Sequence, residues 1–355
     1  MEIYVMDGLN GIIGIVSTFE SAIWNVQYYG RNDFQLIVPG TEENIDLLVE
    51  GRLLVRDCDI NGVKYENVMR IESIKLDFDA EKGYIMTIAG KGLKNILSQR
   101  VVWNQINAEN EFLSQLIYQV LNENVIDPAN QNRKIPDFIA GAVEFSTPNV
   151  TMQLLGEDIA EWLEEVCTKY NIGWDVNIYN GSYIFTLYQG TDRSNNQSVV
   201  PPVVFSPEFD NLLSSSYSYN REEYKNAALV GGEGEGTSKR TASIGTASGL
   251  NRYETYIDGS SVSSNGEIIT EAQYTAMLEE YGNQQLTQTA FTETFSGEIS
   301  TDGVYKINED FFLGDVVQIE NEIGISATTR LIEIIYSEDS NGTQTIGTFS
   351  EWEVD

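Results

Sequence analysis

Ile23-Trp24-Asn25-Val26-Gln27-Tyr28-Tyr29-Gly30-Arg31-Asn32-Asp33-Phe34-Gln35-Leu36-Ile37-Val38 decides the fold class. Apolar and polar residues alternate on both sides of Gly30-Arg31-Asn32, the period of a half-buried strand, and Pro39-Gly40 ends the second run. The pattern recurs outward. Residues 2–16 read as two short strands around Asp7-Gly8-Leu9-Asn10-Gly11, where glycine accepts the positive φ of a turn. Thr41-Glu42-Glu43-Asn44 opens one helical turn, with Thr41 as N-cap and acids near the positive end of the dipole. Residues 52–59 and 63–76 read as a hairpin with its tip at Asn61-Gly62, and 84–90 adds another strand. Strands spaced by turns in this way predict a barrel or sandwich over the first 90 or so residues.

The period then changes. Phe112, Leu113, Leu116, Ile117, Val120 and Leu121 share one face of a helix. A second helix carries Leu155, Ile159, Trp162, Leu163, Val166 and Tyr170, and Asn171 and Gly173 mark its end. A hairpin follows, 174–178 and 183–188 around Asn180-Gly181. Residues 191–216 read as extended, since Pro201, Pro202 and Pro207 bar long regular structure. Strand character resumes at 217–219 and 226–230, and Thr270-x-x-Gln273 is a capping box opening a helix through Tyr274, Met277, Leu278 and Tyr281. Strands follow at 289–299, 315–319, 328–336 and 344–353. The reading is a mainly β fold with an α+β insertion: a β domain over 1–97, an α+β domain over 98–200, and a β domain with one helix over 201–355.

Composition narrows the chemistry. The 355 residues include no histidine, which excludes histidine bases, triads and ligands. The two cysteines, Cys58 and Cys167, are far apart and in no C-x-x-C; they read as reduced thiols rather than a zinc cluster or disulfide framework. Against 21 Lys+Arg stand 54 Asp+Glu, a net charge of -33 spread along the chain. A phosphate-gripping footprint is absent, and an anionic membrane would repel this surface. No run approaches the ~18 apolar residues of a membrane-spanning helix.

Several local patterns mimic sites. Asp57-x-Asp59-x-Asn61-Gly62 resembles the start of a calcium loop, but loop position twelve is Val68 and the flanks are strands. Gly232-Glu233-Gly234-Glu235-Gly236 mimics a phosphate loop, yet two carboxylates oppose phosphate and no Lys-Ser/Thr follows. It reads instead as a flexible loop whose glutamates face solvent and which contacts a partner. Carboxylate pairs could hydrolyse glycosides without histidine, but no pair stands out. Trp24, Trp103, Trp162 and Trp174 sit in apolar runs and read as core. No catalytic, metal-ligating or cofactor-binding residue emerges, and no cofactor is expected.

Several segments nevertheless resemble the tail-hub (baseplate hub or tail-associated) proteins of phages of Gram-positive bacteria. Ile3-Tyr4-Val5-Met6-Asp7, Ile23-Trp24, Tyr28-Tyr29 and Asp33-Phe34-Gln35-Leu36-Ile37-Val38-Pro39 are similar to the start of that family. So are Gly90-Lys91-Gly92-Leu93 and Arg100-Val101-Val102-Trp103. Further resemblance lies in Tyr188-Gln189-Gly190-Thr191-Asp192-Arg193-Ser194, Val203-Val204-Phe205-Ser206-Pro207-Glu208-Phe209-Asp210-Asn211-Leu212 and Ala227-Ala228-Leu229-Val230-Gly231-Gly232. The end is marked by Leu313-Gly314-Asp315-Val316-Val317 and Arg330-Leu331-Ile332-Glu333.

That resemblance implies two tail-tube-like β domains flanking the α+β part, and a ring, usually a homotrimer, closing the distal end of the tail tube. Partners would be the tube or distal tail protein and a spike or tip protein, with DNA passing through unbound. The chain would be made in the host cytoplasm and end in the virion tail tip, with any spike, fibre or lytic domain on a separate protein. Two other classes stay open: a distal-tail or receptor-binding adaptor, and a carboxylate-based cell-wall hydrolase. The acidity has two readings, a lumen that repels phosphate or plain solubility.

Overall fold

The computed structural model describes residues 1–58, 64–81, 83–264, 266, 269–299, 304–321 and 326–350. The N-terminal region contains β1 (Ile3–Met6), β2 (Ile12–Val16), β3 (Ser21–Gln27), β4 (Asp33–Pro39), α1 (Glu42–Leu47), β5 (Leu53–Arg56), β6 (Lys64–Tyr65), β7 (Met69–Asp79) and β8 (Gly83–Gly92). The middle contains β9 (Ile106–Phe112), α2 (Leu113–Leu121), β10 (Phe138–Ala140), β11 (Asn149–Leu154), α3 (Ile159–Lys169), β12 (Gly173–Tyr179) and β13 (Ser182–Tyr188). The C-terminal region contains β14 (Val204–Phe205), β15 (Leu212–Asn220), β16 (Ala227–Gly231), β17 (Thr241–Ile244), β18 (Glu254–Asp258), α4 (Glu271–Thr287), β19 (Thr292–Ile299), β20 (Val316–Glu320), β21 (Ser326–Asp339) and β22 (Gly342–Phe349). The fold is mainly β, as the sequence predicts.

The alternating stretch 23–38 forms most of β3 and β4, with Trp24 opposite Phe34 and their ring centroids 5.3 Å apart. Every second side chain points into a core of Trp24, Phe34, Leu36, Val38 and Ile88, which Ile3, Val5 and Leu54 close from the other side. The sheet does not end there. β3 pairs with β21 from the far end of the chain, Trp24 opposite Tyr336. The main path runs β15-β19-β22-β21-β3-β4-β8-β7-β5-β1-β2 within a 13-stranded sheet. This corrects the barrel expectation: thirteen of the described strands form one open sheet shared by both β regions, beside separate sheets of four, two and three strands. Open alternation fixes strand type, but a sequence carries no mark of which distant edge a strand will join.

Around the β3–β21 junction the sheet has a two-fold logic. On one side lie the hairpin β3–β4 and the pair β8–β7; on the other lie the hairpin β21–β22 and the pair β19–β15. All seven steps from β15 to β7 are antiparallel.

The α+β part packs α2 and α3 against β12 and β13, with Trp174 and Phe185 buried between them. Asp158 caps α3 by accepting from the amides of Ala160 and Glu161, so the helix starts later than its apolar period suggests and Leu155 lies outside it, exposed. Cys167 is buried in α3, and burial pushes its thiol up to about 12. This part is joined to the sheet through Lys94, fully buried, whose ammonium donates to the carbonyls of Gln27 (2.6 Å) and Gly30 (3.0 Å) and sits 5.1 Å from the Trp174 ring.

A second joint explains why several of the resembling motifs are polar. The buried Asp315 carboxylate accepts from the Thr191 amide, the Phe312 amide and the Arg193 Nε, each at 2.7 to 3.0 Å. Gly190 lies against the Gly314 carbonyl, where a Cβ would stand 1.7 Å from its oxygen. The segment leaving β13 is thereby fastened to the entry of β20.

Candidate assembly surface

The two ends of the antiparallel path are arms. β7 shifts register between Ile71 and Ser73, a bulge that faces Gly90, where a Cβ would lie 1.9 Å from the Arg70 carbonyl oxygen. A bulge bends and twists a strand. Beyond it every β7 residue from Glu72 to Asp79 is exposed, although Ile74, Leu76 and Phe78 alternate with Ser73, Lys75, Asp77 and Asp79 as if one face were buried. Opposite them lie Ile88, Met86 and Tyr84. Phe78 is 67% exposed and Tyr84 54%, and their rings touch at 5.1 Å. The other face is polar, with Lys75 and Asp77 paired at 2.7 Å.

β15 repeats the device. It too shifts register at its base, between Leu212 and Ser214, and is exposed almost throughout afterwards. Tyr217 and Tyr219 share one face with Ser215, while Ser214, Ser216, Ser218 and Asn220 share the other. The Tyr217 hydroxyl donates to Glu293 at 2.7 Å, which pins the aromatic side toward β19.

Both arms have an open edge among the described residues. β5 pairs with β7 only at Arg70 and Met69, leaving the outer part of β7 with a strand on one side alone. β15 is the last strand of the path. Because the seven steps between them are all antiparallel, β7 and β15 run in opposite directions. Such edges are templates for pairing with another chain.

The sequence-predicted loop lies elsewhere and is partly corrected. Gly232 is buried against the Tyr274 hydroxyl and Leu278, and Glu233 is half-buried rather than solvent-facing. Its carboxylate accepts from the Ser264 amide (2.8 Å) and from Arg240 (3.4 Å), and its own amide donates to Tyr274. These bonds hold the Glu233 carboxyl below its usual range, the bond with Ser264 first. Only Gly234, Glu235 and Gly236 are exposed, Gly234 at φ 95° with a Cβ position 2.4 Å from the Ser238 carbonyl oxygen. The loop is a fastened turn within a small unit of β16, β17, β18 and α4, inserted between the tips of β15 and β19.

Trp24, Trp162 and Trp174 are buried as read, but Trp103 is 62% exposed. Asp59, Asn61 and Gly62 of the calcium-loop mimic lie outside the described residues. Among the described residues no group of acids and cysteines converges as a metal cluster would, and no helix is long and apolar enough to cross a membrane. Ile74, Leu76 and Tyr217 were legible as strand residues, whereas Phe78 lies beyond the strand predicted to end at residue 76; nothing local marks that these side chains stay partly exposed.

A family model described as siphovirus ReqiPepy6 Gp37-like protein matches residues 2–348. No curated protein sequence matches the chain. Among solved structures, it is similar to the 43 kDa tail protein of prophage MuSo2 from Shewanella oneidensis, with TM-score 0.60 at 12% identity over 99% of this chain and 98% of the other. A tail protein from Neisseria meningitidis MC58 gives TM-score 0.60 at 14% identity over 98% and 96%. Prophage tail protein gp18 from Listeria monocytogenes EGD-e gives 0.54 at 11% over 99% and 94%. At these identities the likeness is one of fold.

Proposed function

The chain belongs to the siphovirus ReqiPepy6 Gp37-like family of phage tail proteins, and from that premise we propose that it is a structural hub, closing the distal end of the tail tube as a ring of three copies. The observation that carries this reading is the pair of open, oppositely directed arm edges at the two ends of one antiparallel path. When β7 of one copy meets β15 of the next, the junction is again antiparallel, and the alternation continues round the ring. Each copy contributes two four-stranded halves, so three copies present six, the symmetry of a tube end. Such a contact is heterologous and stays finite only if the rotation closes.

The arms' apolar faces then find cover. Ile74, Leu76, Phe78 and Tyr84 are between 40% and 67% exposed, so covering each fully stabilises the contact by about half of the ~1.5–3 kcal/mol of a wholly exposed side chain. Their polar faces, with Ser214, Ser216, Ser218 and Asn220 on one arm and Ser73, Lys75, Asp77 and Asp79 on the other, would line the DNA path. A hydroxyl-rich wall with one lysine does not grip phosphates. These polar faces carry only two acids, Asp77 and Asp79, which favours solubility as the main account of the charge.

On this reading the partners are the tube or distal tail protein above and a spike or tip protein below, and the divisions 1–97, 98–200 and 201–355 are structural rather than catalytic units. Imaging of assembled tail tips tests it. Three copies around the axis are expected; six copies, or copies placed away from the axis, would contradict it. Purified protein is expected to release nothing from peptidoglycan above background, and saturable release would favour the hydrolase reading.

A further inference from the structure

Arg100-Val101-Val102-Trp103, a motif that the hub reading does not use, meets the turn at Arg133 on the surface of the α+β part. Trp103 stands out from the molecule with the Arg133 guanidinium 4.8 Å from its ring. The Arg100 Nε donates to the Arg133 carbonyl at 2.6 Å, and Arg133 donates to the carbonyl of Val101 at 2.7 Å. Buried Asn124, in the wide turn after α2, braces both sides: its Oδ1 accepts from Arg133 (3.1 Å) and from the Trp103 amide (3.0 Å), while its Nδ2 donates to Val120. A cavity of about 270 Å³ opens beside them, lined also by Ser98, Asn130 and Asn132.

The patch concentrates positive charge. Arg31, Arg56, Arg193, Arg240 and Arg252 each face a carboxylate. Among the described residues Arg100, Arg133 and the exposed Lys134, like Arg52, Arg70 and Arg221, make no ion pair; here the three cationic side chains lie together, in a chain where acids outnumber bases by 54 to 21. Burial first, and then the like charge of Arg100, lower the Arg133 guanidinium from its ordinary value. Two guanidiniums are thus held together by carbonyl oxygens, each with N–H donors left over. Exposed tryptophan and arginine are the residues enriched at the energetic centres of protein interfaces.

We propose that Arg100, Arg133 and Trp103 form a preorganised docking surface for a carboxylate-bearing segment of a partner protein. Charge complementarity names the occupant: two unpaired forks match two carboxylates bidentately, and the Trp103 face takes an adjoining aliphatic side chain. The repulsion that the rest of the surface exerts on an acidic segment is screened within ~8 Å at physiological salt, so contact at this patch decides binding.

The test is 19F NMR of the full chain carrying 5-fluorotryptophan, with the Trp103 line assigned from Trp103→Phe. The probe is a short synthetic peptide of glutamates flanking one leucine; its glutamine counterpart is the control. A saturable shift of the Trp103 line is expected with the acidic peptide, about tenfold weaker with the control and about tenfold weaker in Arg133→Gln and in Arg100→Gln. The other tryptophan lines report whether those variants fold. Trp103→Ala, which removes an exposed side chain, is expected to weaken the same peptide by calorimetry. Absence of any shift, or equal shifts with both peptides, would overturn the proposal. An equal response to inorganic phosphate would make the patch a small-anion site instead.

Discussion

Single residues divide into those that fasten the fold and those that were misread as free. Asp315 gathers three donors in a buried joint, so Asp315→Ala leaves Arg193 without its partner. A loss of about 3–5 kcal/mol is expected by urea denaturation, the scale for breaking a buried pair from one side; a loss under 1 kcal/mol would mean that the joint is idle. Glu233→Ala is expected to cost about 1–2 kcal/mol, because it removes charged hydrogen bonds within the small inserted unit, whereas Glu235→Ala should leave the melting temperature unchanged. Lys94 gives a pH signature. Desolvation lowers it to about 8 from an ordinary 10.5, with Asp175, Cys167 and Glu164 as the charged or titratable neighbours acting on it. Between those values the unfolded chain binds more protons than the folded one, so this group makes stability rise with pH from about 8 to about 10.5. The rise should disappear in Lys94→Met; an identical pH profile in both proteins would refute the assignment. These roles were not legible in the sequence. Asp315 and Lys94 look like any surface acid and base until the fold brings remote carbonyls and amides around them.

At the scale of elements, local pattern predicted strand and helix well and coverage poorly. The alternation in 23–38, the turn glycines and the Thr270–Gln273 capping box each became the element they predict, because those signals act over a few residues. The two short strands β9 and β11 were missed because their pairing is between segments separated by α2, and their polar faces blur the alternation. The arms were read as half-buried strands. Their alternation is real, but the chain's own fold covers only the inner part of the β7 arm's apolar face, burying Met86 and Ile88 and leaving Ile74, Leu76, Phe78 and Tyr84 partly exposed. It follows that Leu76→Ser with Phe78→Ser should lower the isolated protein's stability by no more than about 1 kcal/mol, about 0.5 for each surface substitution, yet sharply reduce incorporation into tails. Thermal melts and a count of the protein in purified particles decide this. A large drop in melting temperature would mean that the arm packs within its own subunit.

For the whole molecule, the charge and the open sheet act against each other. With -33 per chain, copies repel at low ionic strength, while their arm edges attract at contact. Isolated protein is therefore expected to be monomeric in dilute salt and to associate as the Debye length shrinks from ~30 Å toward ~3 Å, which sedimentation follows directly. Association that weakens with added salt would point to charge pairing rather than edge pairing. The central claim, that β7 of one copy adjoins β15 of the next, is tested most directly by disulfide cross-linking in assembled tails. One cysteine is placed along the outer edge of β7, at Ser73, Lys75 or Asp77, and one along β15, at Ser214, Ser216 or Ser218. The account predicts that at least one combination yields a closed covalent trimer on a denaturing gel, while either cysteine alone does not. Failure of every combination, or dimers formed by the β7 cysteine alone, would contradict it.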